Sequence, residues 1–424
     1  MSLGQMYLLT KRQPAESRPL ASRSTDIFEF GRTCKELSEW GLRSRPEWYN
    51  DQRPIDLRSY PRYDCVPESA RLLHKSAIAE EVVSGRRILL TGAGGSIGSA
   101  LAKAVIRLGP RILLLLDHSE RNLHEIDLEL ATTIDRDSYK SVLGDICDAK
   151  LLSELFKRYQ PEVVYHAAAF KHVPLMEHNP FAAVRNNALG TANLARIAQA
   201  EGIASFVMVS TDKAVNPISI MGASKRLAEL ALQSLNNPKN RMSVVRLANV
   251  FGSQGSVVPT FLNQISQGGP VTVTHRDVSR YFLTMDEAVE LILLASGLEK
   301  RGGIFIPQVG RPVKILDIAI ELIKDNRTEP RKDIPVTFTG LRPGDKMAEE
   351  FFSQDESTEP TNDPRLMRVK TREIPAGIFD NQMADLSRCV DARNLTAMIE
   401  VLCQIIPEYR PTEWLSASAQ GAPV

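Results

Sequence analysis

Two hydroxyls, an acid and an amine fall within four consecutive residues of this chain. Ser210, Thr211, Asp212 and Lys213 open the stretch VSTDKAVNPISIMGASK, Val209–Lys225. Side chains of these types, held together, can give and take protons as general acids and bases. The alternative for Asp212 and Lys213 is a plain surface ion pair. Met221 and Lys225 stand four apart, so a helix would place them on one face. A second stretch, HAAAFKHV, carries His166 and His172. No carboxylate stands at ligand spacing from them, so no metal site is expected.

The element that must position these groups lies upstream. In RILLTGAGGSIGSALAKA, Arg87–Ala104, an apolar run reads as a buried strand. A glycine-rich turn follows, and then a helix with Ile97, Leu101, Ala104, Val105 and Leu108 on one face. Gly92 lets the chain leave the strand sharply, Gly95 lets backbone approach a pyrophosphate, and Gly98 lets the helix pack on the sheet. Ser96 and Ile97 sit in the same turn and are grouped with the glycines as cofactor contacts. The helix N-terminus would face the phosphates. Asp117, nineteen residues after Gly98, ends the next apolar run. A carboxylate there takes ribose hydroxyls and favours NAD, although it could equally cap a helix. Arg121 nearby leaves NADP open. Asp145 and Ile146 follow the third strand, where they would meet the adenine; a turn aspartate is the alternative. Ala167, Ala168 and Ala169, at the end of the fourth strand, leave room for the nicotinamide ribose.

Short apolar runs recur at Ile88–Leu90, Ile112–Leu116, Ser141–Leu143, Val163–Tyr165, Phe206–Val209 and Ser243–Leu247, with helical stretches between them. This alternation predicts an α/β protein with a Rossmann-type, doubly wound parallel sheet. The chain divides into an extension of unread role (1–80), an NAD(P)-binding domain (81–250), a smaller α+β substrate lobe (251–411) and a flexible tail (412–424). Within the lobe, Val271–Thr274 and Ile304–Pro307 read as strands, and Asp286–Ser296 and Ile315–Ile323 as helices. In the extension, Ile27–Trp40 reads as a short helix.

Across 424 residues the formal net charge is +1, so no global field attracts nucleic acid or anionic membrane. No apolar run is long enough to span a membrane, and no signal peptide is expected. The five cysteines, Cys34, Cys65, Cys147, Cys389 and Cys403, form no C-x-x-C pair. A reducing cytoplasm fits them.

Taken together, TGAGGSIGS, HAAAFKHVPLMEHNP, NNALGT, VSTDKAVNP, MGASKRLAE, SRYFLT, GRPVKILD and GLRPGDK resemble the extended short-chain dehydrogenase/reductases. Within these, the match is to nucleotide-sugar 4,6-dehydratases of the CapD-like polysaccharide-biosynthesis group. The resemblance spans roughly residues 80–411. It implies a UDP-N-acetylhexosamine substrate, UDP-GlcNAc foremost, and a bound NAD that takes hydride from C4 and returns it to C6. It further implies Asp212 as acid at the C6 hydroxyl and Lys213 as base at C5, which calls for a lowered lysine pKa. Lys225 would hold the nicotinamide ribose. By family position Arg280 and Arg342 become diphosphate or uridine ligands, the alternative being solvated surface arginines. Asn249, after the sixth strand, and Glu177, near the same edge, are candidate sugar contacts, although Glu177 could instead cap a helix, and Lys171 is grouped with them. Homo-oligomerisation through helices beside the active-site edge is expected on the same ground.

Three departures stand out. Met221 replaces the superfamily tyrosine and cannot exchange a proton; the group's configuration-retaining members share it. The base for the C4 hydroxyl is then Thr211, Lys225 or a water. Asp345 stands where the family has glutamate. The large relatives carry N-terminal membrane helices, whereas residues 1–80 here hold no long apolar run. A nucleotide-sugar C4/C5 epimerase and a non-catalytic NAD-binding regulator are the rival readings.

Overall fold

The structure is a computed structural model, which describes residues 77–298, 302–325, 334–371 and 376–419. The helix expected at Ile27–Trp40, with nearly all of the extension, lies outside these residues.

Six parallel strands form the centre: β1 Arg87–Thr91, β2 Ile112–Asp117, β3 Tyr139–Leu143, β4 Val163–His166, β5 Ser205–Thr211 and β6 Arg241–Leu247. Their order is β3-β2-β1-β4-β5-β6. β1 pairs with β2 on one side, Leu89 opposite Leu114, and with β4 on the other, Leu89 opposite Val164. Chain order therefore reverses at β1, which opens a crevice at the carboxyl ends of β1 and β4, where this architecture binds ligands. The central strands are apolar where helices cover both faces; Leu113–Leu116 of β2 are fully buried, whereas the edge strand β3, YKSVL, alternates in burial.

Beyond β6 the sheet grows by elements expected in a separate lobe. β7 (Ile304–Pro307) pairs parallel with β6. β8 (Ser357–Pro360) and β9 (Leu366–Lys370) then close the edge antiparallel. Residues after 250 thus complete the central sheet as well as building over its open end. They do so because Ile304, Phe305 and Ile306 are all apolar and have β6 to bury against.

The helices that matter for the site are α1 (Ser96–Arg107), α2 (Glu120–Ala131), α3 (Thr191–Ala200) and α4 (Ile220–Leu235). A π-helical turn, Val184–Gly190, leads into α3; such turns accompany functional sites. Ser219 caps α4, accepting the Gly222 N–H. Every residue of α4 from Ile220 to Leu232 is buried. One face lies on the sheet. The other packs against α5 (Ala376–Asp391), α6 (Leu395–Ile405) and α7 (Glu413–Ala419), through Phe379, Leu386, Met398, Leu402, Tyr409 and Leu415. Each such side chain contributes about 1.5–3 kcal/mol on burial.

One expectation changes here. Within the tail expected to be flexible (412–424), Glu413–Ala419 form α7, anchored by fully buried Leu415. The outer face of α4 is covered by α5–α7 of its own chain.

Candidate active site

The glycine turn is fixed by steric exclusion. Gly92 has φ +69°, and a side chain there would sit 2.5 Å from the Ala168 backbone nitrogen. A Cβ on Gly98 would lie 1.9 Å from the Gly92 carbonyl oxygen. Turn, α1 and the end of β4 are thereby pressed together. Gly95 is the N-cap of α1 and no side chain caps that helix, so its first N–H groups remain for an anion. Asp117 is buried and braces this turn: Oδ2 accepts the Gly94 N–H at 2.9 Å and Oδ1 the Ser119 N–H at 2.8 Å. Ser96 Oγ accepts the Gln254 N–H at 3.0 Å, and Lys171 Nζ donates to the Gln254 carbonyl at 2.7 Å. Burial lowers the Lys171 pKa. Residue 254 thus straps across the turn.

Other expected cofactor contacts lie along the same crevice. Ala167 and Ala168 are half-buried at the end of β4, and Ala169 is exposed. Ile146 is buried and Ile97 packs against the core. Asp145 is exposed and accepts the Cys147 N–H, as a turn aspartate does. Arg121 projects from α2 and pairs with Glu125. His166 lies between Thr91 (2.6 Å) and Thr191 (2.8 Å). Burial, helped by the Lys225 charge, lowers its pKa to about 3, so it is neutral.

The residues expected to transfer protons meet at the carboxyl end of β5. Asp212 is wholly buried. Its Oδ1 accepts from Thr211 Oγ1 (2.9 Å) and Lys213 Nζ (3.0 Å), while Oδ2 is buried without a hydrogen bond. Lys213 Nζ also donates to Asn249 Oδ1 (3.2 Å) and lies 3.4 Å from Glu349 Oε1. The surface ion pair is therefore excluded by burial. The expected lowering of the Lys213 pKa is not found: burial pushes it down, but Asp212 and Glu349 outweigh that and hold it above the usual lysine value. Lys225 is the amine with the depressed pKa. Burial takes it to about 8, against a small opposing pull from Glu229, and its Nζ donates to the Val209 carbonyl at 2.8 Å. Met221 shares that helix and is buried among apolar side chains.

The expected substrate contacts divide. Asn249 faces Lys213, as above. Arg280 is buried and committed to the carbonyls of Ser279, Lys346 and Met347. Arg342 is largely exposed and pairs with Asp345 at 2.8 Å. Glu177 is spent within the fold: it accepts the Ile220 N–H at the start of α4 (2.6 Å) and the Thr412 hydroxyl (2.8 Å).

Sequence reasoning missed three features. Glu349 reads as one of a surface acidic pair in KMAEEFF, yet is 5% exposed. Asn187, from NNALGT, ties Phe170 to Ser224 across the site. Behind β5, Arg226 and Arg246 engage Glu229 and Glu356 in a buried ionic cluster, and Ser210 donates to Glu229 at 2.6 Å. The i, i+3 spacing of Arg226 and Glu229 was the available signal.

A parallel sheet reversing at β1, an uncapped helix behind a glycine turn, and a lysine on α4 facing the end of β5 define an extended short-chain dehydrogenase/reductase. The chain belongs to the polysaccharide biosynthesis protein family, whose family model matches residues 88–371. It is 46% identical over 283 residues to the capsular polysaccharide biosynthesis protein CapD of Staphylococcus aureus, covering 66% of this chain and 47% of that protein. The chain thus spans about half the length of that relative. It is 30% identical over 280 residues to the inverting UDP-N-acetylglucosamine 4,6-dehydratase of Campylobacter jejuni, covering 65% of this chain and 79% of that one. Among solved structures, Pen from Bacillus thuringiensis superposes with a TM-score of 0.63 at 27% identity, covering 72% of this chain and 98% of that one. No helix among the described residues is long and apolar enough to cross a membrane.

Proposed function

We propose that the protein is an NAD-dependent nucleotide-sugar 4,6-dehydratase acting in the cytoplasm on a UDP-N-acetylhexosamine, UDP-GlcNAc first among them. The observation that carries this reading is the buried Asp212–Lys213 pair at the carboxyl end of β5, with Asp212 Oδ2 left unpartnered. An acid and a base side by side suit removal of a proton and a hydroxyl from adjacent carbons.

The residues present fit a dinucleotide. Gly92 and Gly98 leave no room for side chains where backbone must approach a pyrophosphate, and Asp117 stands where ribose hydroxyls would lie. Bound NAD supplies the oxidation at C4, which acidifies the C5 proton. Lys225 would hold the nicotinamide ribose and set positive charge near the C4 oxygen; its pKa of about 8 would let it exchange a proton near neutral pH. Lys213 takes the C5 proton. Asp212 gives a proton to the departing C6 hydroxyl, steadied by Thr211. Each positioned proton transfer contributes about 10²- to 10⁴-fold. By family position Arg342, largely exposed beside Asp345, is the candidate cation for a diphosphate, whereas Arg280 is already held by backbone carbonyls.

The test is incubation with UDP-GlcNAc in deuterated water, followed by NMR. A 4-keto-6-deoxy sugar with deuterium at C5 supports the reading. An isomerised sugar with its C6 hydroxyl intact, or no turnover despite bound NAD, overturns it.

A further inference from the structure

One carboxyl group at this site has no task in the reaction above. Glu349 Oε1 lies 3.4 Å from Lys213 Nζ and 3.7 Å from Arg280 Nε. Oε2 is 3.8 Å from Lys346 Nζ and accepts no hydrogen bond, although it is buried. A buried carboxylate kept only for stability satisfies its oxygens. Here two carboxyl groups, Asp212 and Glu349, flank one ammonium, and each keeps one oxygen unmatched. Arg280 approaches from the strand Ser279–Arg280 and Lys346 from Glu349's own segment. Groups this close share protons as a set.

The elimination needs Asp212 as an acid and Lys213 as a free amine at the same moment. The resting pair has the opposite arrangement, a carboxylate and an ammonium. With Glu349 ionised, Lys213 faces two negative charges and keeps its proton. With Glu349 neutral, it faces one. In a site from which substrate excludes water, a neutral acid and amine then compete well with an ion pair.

Resting on the dehydratase reading, we propose that Glu349 is a positioning residue that works in its protonated form: only when it is neutral does a proton cross from Lys213 Nζ to Asp212 Oδ1, along their 3.0 Å hydrogen bond, arming acid and base together. The Nζ–H bond breaks, the Oδ1–H bond forms, and nothing else is required. Burial raises the Glu349 pKa against the pull of Lys213, and Asp212 adds to the rise. The neutral form is therefore favoured relative to an ordinary glutamate.

The test compares wild type, Glu349→Gln and Glu349→Asp on UDP-GlcNAc, reading deuterium entry at C5 as a function of pH, below the pH at which Lys225 titrates. Wild-type exchange should fall with rising pH as Glu349 ionises, by up to about tenfold per pH unit beyond its pKa. Glu349→Gln, a permanent mimic of the neutral form, should keep the reaction and lose the slope. Glu349→Asp should bring a slope back. A Glu349→Gln protein that oxidises C4 but eliminates 100-fold more slowly overturns the proposal, as does one whose profile matches wild type. If wild type yields no 4-keto-6-deoxy sugar at all, the dehydratase reading itself fails, and that is read separately from the variants.

Discussion

Replacing Lys225 with methionine should destroy the reaction and stabilise the empty protein. Lys225 is 4% exposed, and burial brings its pKa from 10.5 to about 8. At about 1.4 kcal/mol per unit, holding the ammonium in place costs the folded state roughly 3 kcal/mol at neutral pH. Methionine fills similar space without charge. It forfeits the hydrogen bond to Val209, worth about 1–2 kcal/mol, so a net gain of about 1–2 kcal/mol remains. The pH dependence isolates the charge more cleanly, because the lost hydrogen bond cancels from it. The folded pKa lies below the unfolded one, so the unfolded chain binds more protons between the two values. The penalty is complete below about pH 8 and vanishes as pH approaches the unfolded lysine value near 10.4. Urea unfolding of both proteins across this range should show the gap moving by up to about 3 kcal/mol in favour of wild type. A gap that stays constant from neutral to alkaline pH would refute the assignment of Lys225 as a strained, desolvated ammonium.

Gly98→Ala places a Cβ against the Gly92 carbonyl at 1.9 Å. The turn must open, and NAD affinity measured by calorimetry should fall at least 100-fold; undiminished binding counts against the turn as the pyrophosphate site. Arg246→Met leaves Glu229 and Glu356 buried with Arg226 as the shared remaining cation, a change expected to cost about 3–5 kcal/mol in urea unfolding. Burial would raise both glutamates, but the guanidiniums outweigh it and hold them below the usual range. Their stabilisation is present above the ordinary glutamate pKa and is lost as pH falls through the folded values, so Arg246→Met should also flatten the acid limb of the stability profile. Thr412→Val strips the hydroxyl from Glu177 Oε2 and should cost about 1–3 kcal/mol, with faster proteolytic cutting near 413–419; an unchanged digestion pattern would show that the contact does not hold α7 down.

Local pattern made the nucleotide half legible. β1, β2 and β4 centre on unbroken apolar runs, Ile88–Leu90, Ile112–Leu116 and Val163–Tyr165, and the glycines of residues 92–98 have one geometry that suits them. Asp212, Lys213 and Lys225 were readable because they stand just past one such run and one helical repeat on. What failed was everything set by long-range packing. Nothing in IFIP tells that Ile304 continues the central sheet. Glu177 looks like a sugar ligand until Ile220 and Thr412 arrive to take both its oxygens. Lys213 was expected to be the depressed amine, and the sequence hides the carboxylate of Glu349, far along the chain, that reverses the sign. The depression falls on Lys225 because its helix is buried on both sides, which depends on the segment 376–419.

That dependence has a consequence for how the protein comes into being on the ribosome. Strands β1 to β6 can pair as they emerge, each against a neighbour already made. Helix α4 cannot be finished then. Its first N–H waits on Glu177, whose second oxygen is satisfied by Thr412, and Pro217 just ahead of it receives the Arg410 N–H at 3.0 Å. A nascent chain halted between residues 250 and 375 would hold β1 to β6 while the outer face of α4 lacked α5–α7, leaving apolar side chains of that cluster such as Leu227 and Leu230 less covered. The segment 376–419 thus covers apolar surface of α4 that the earlier elements leave open.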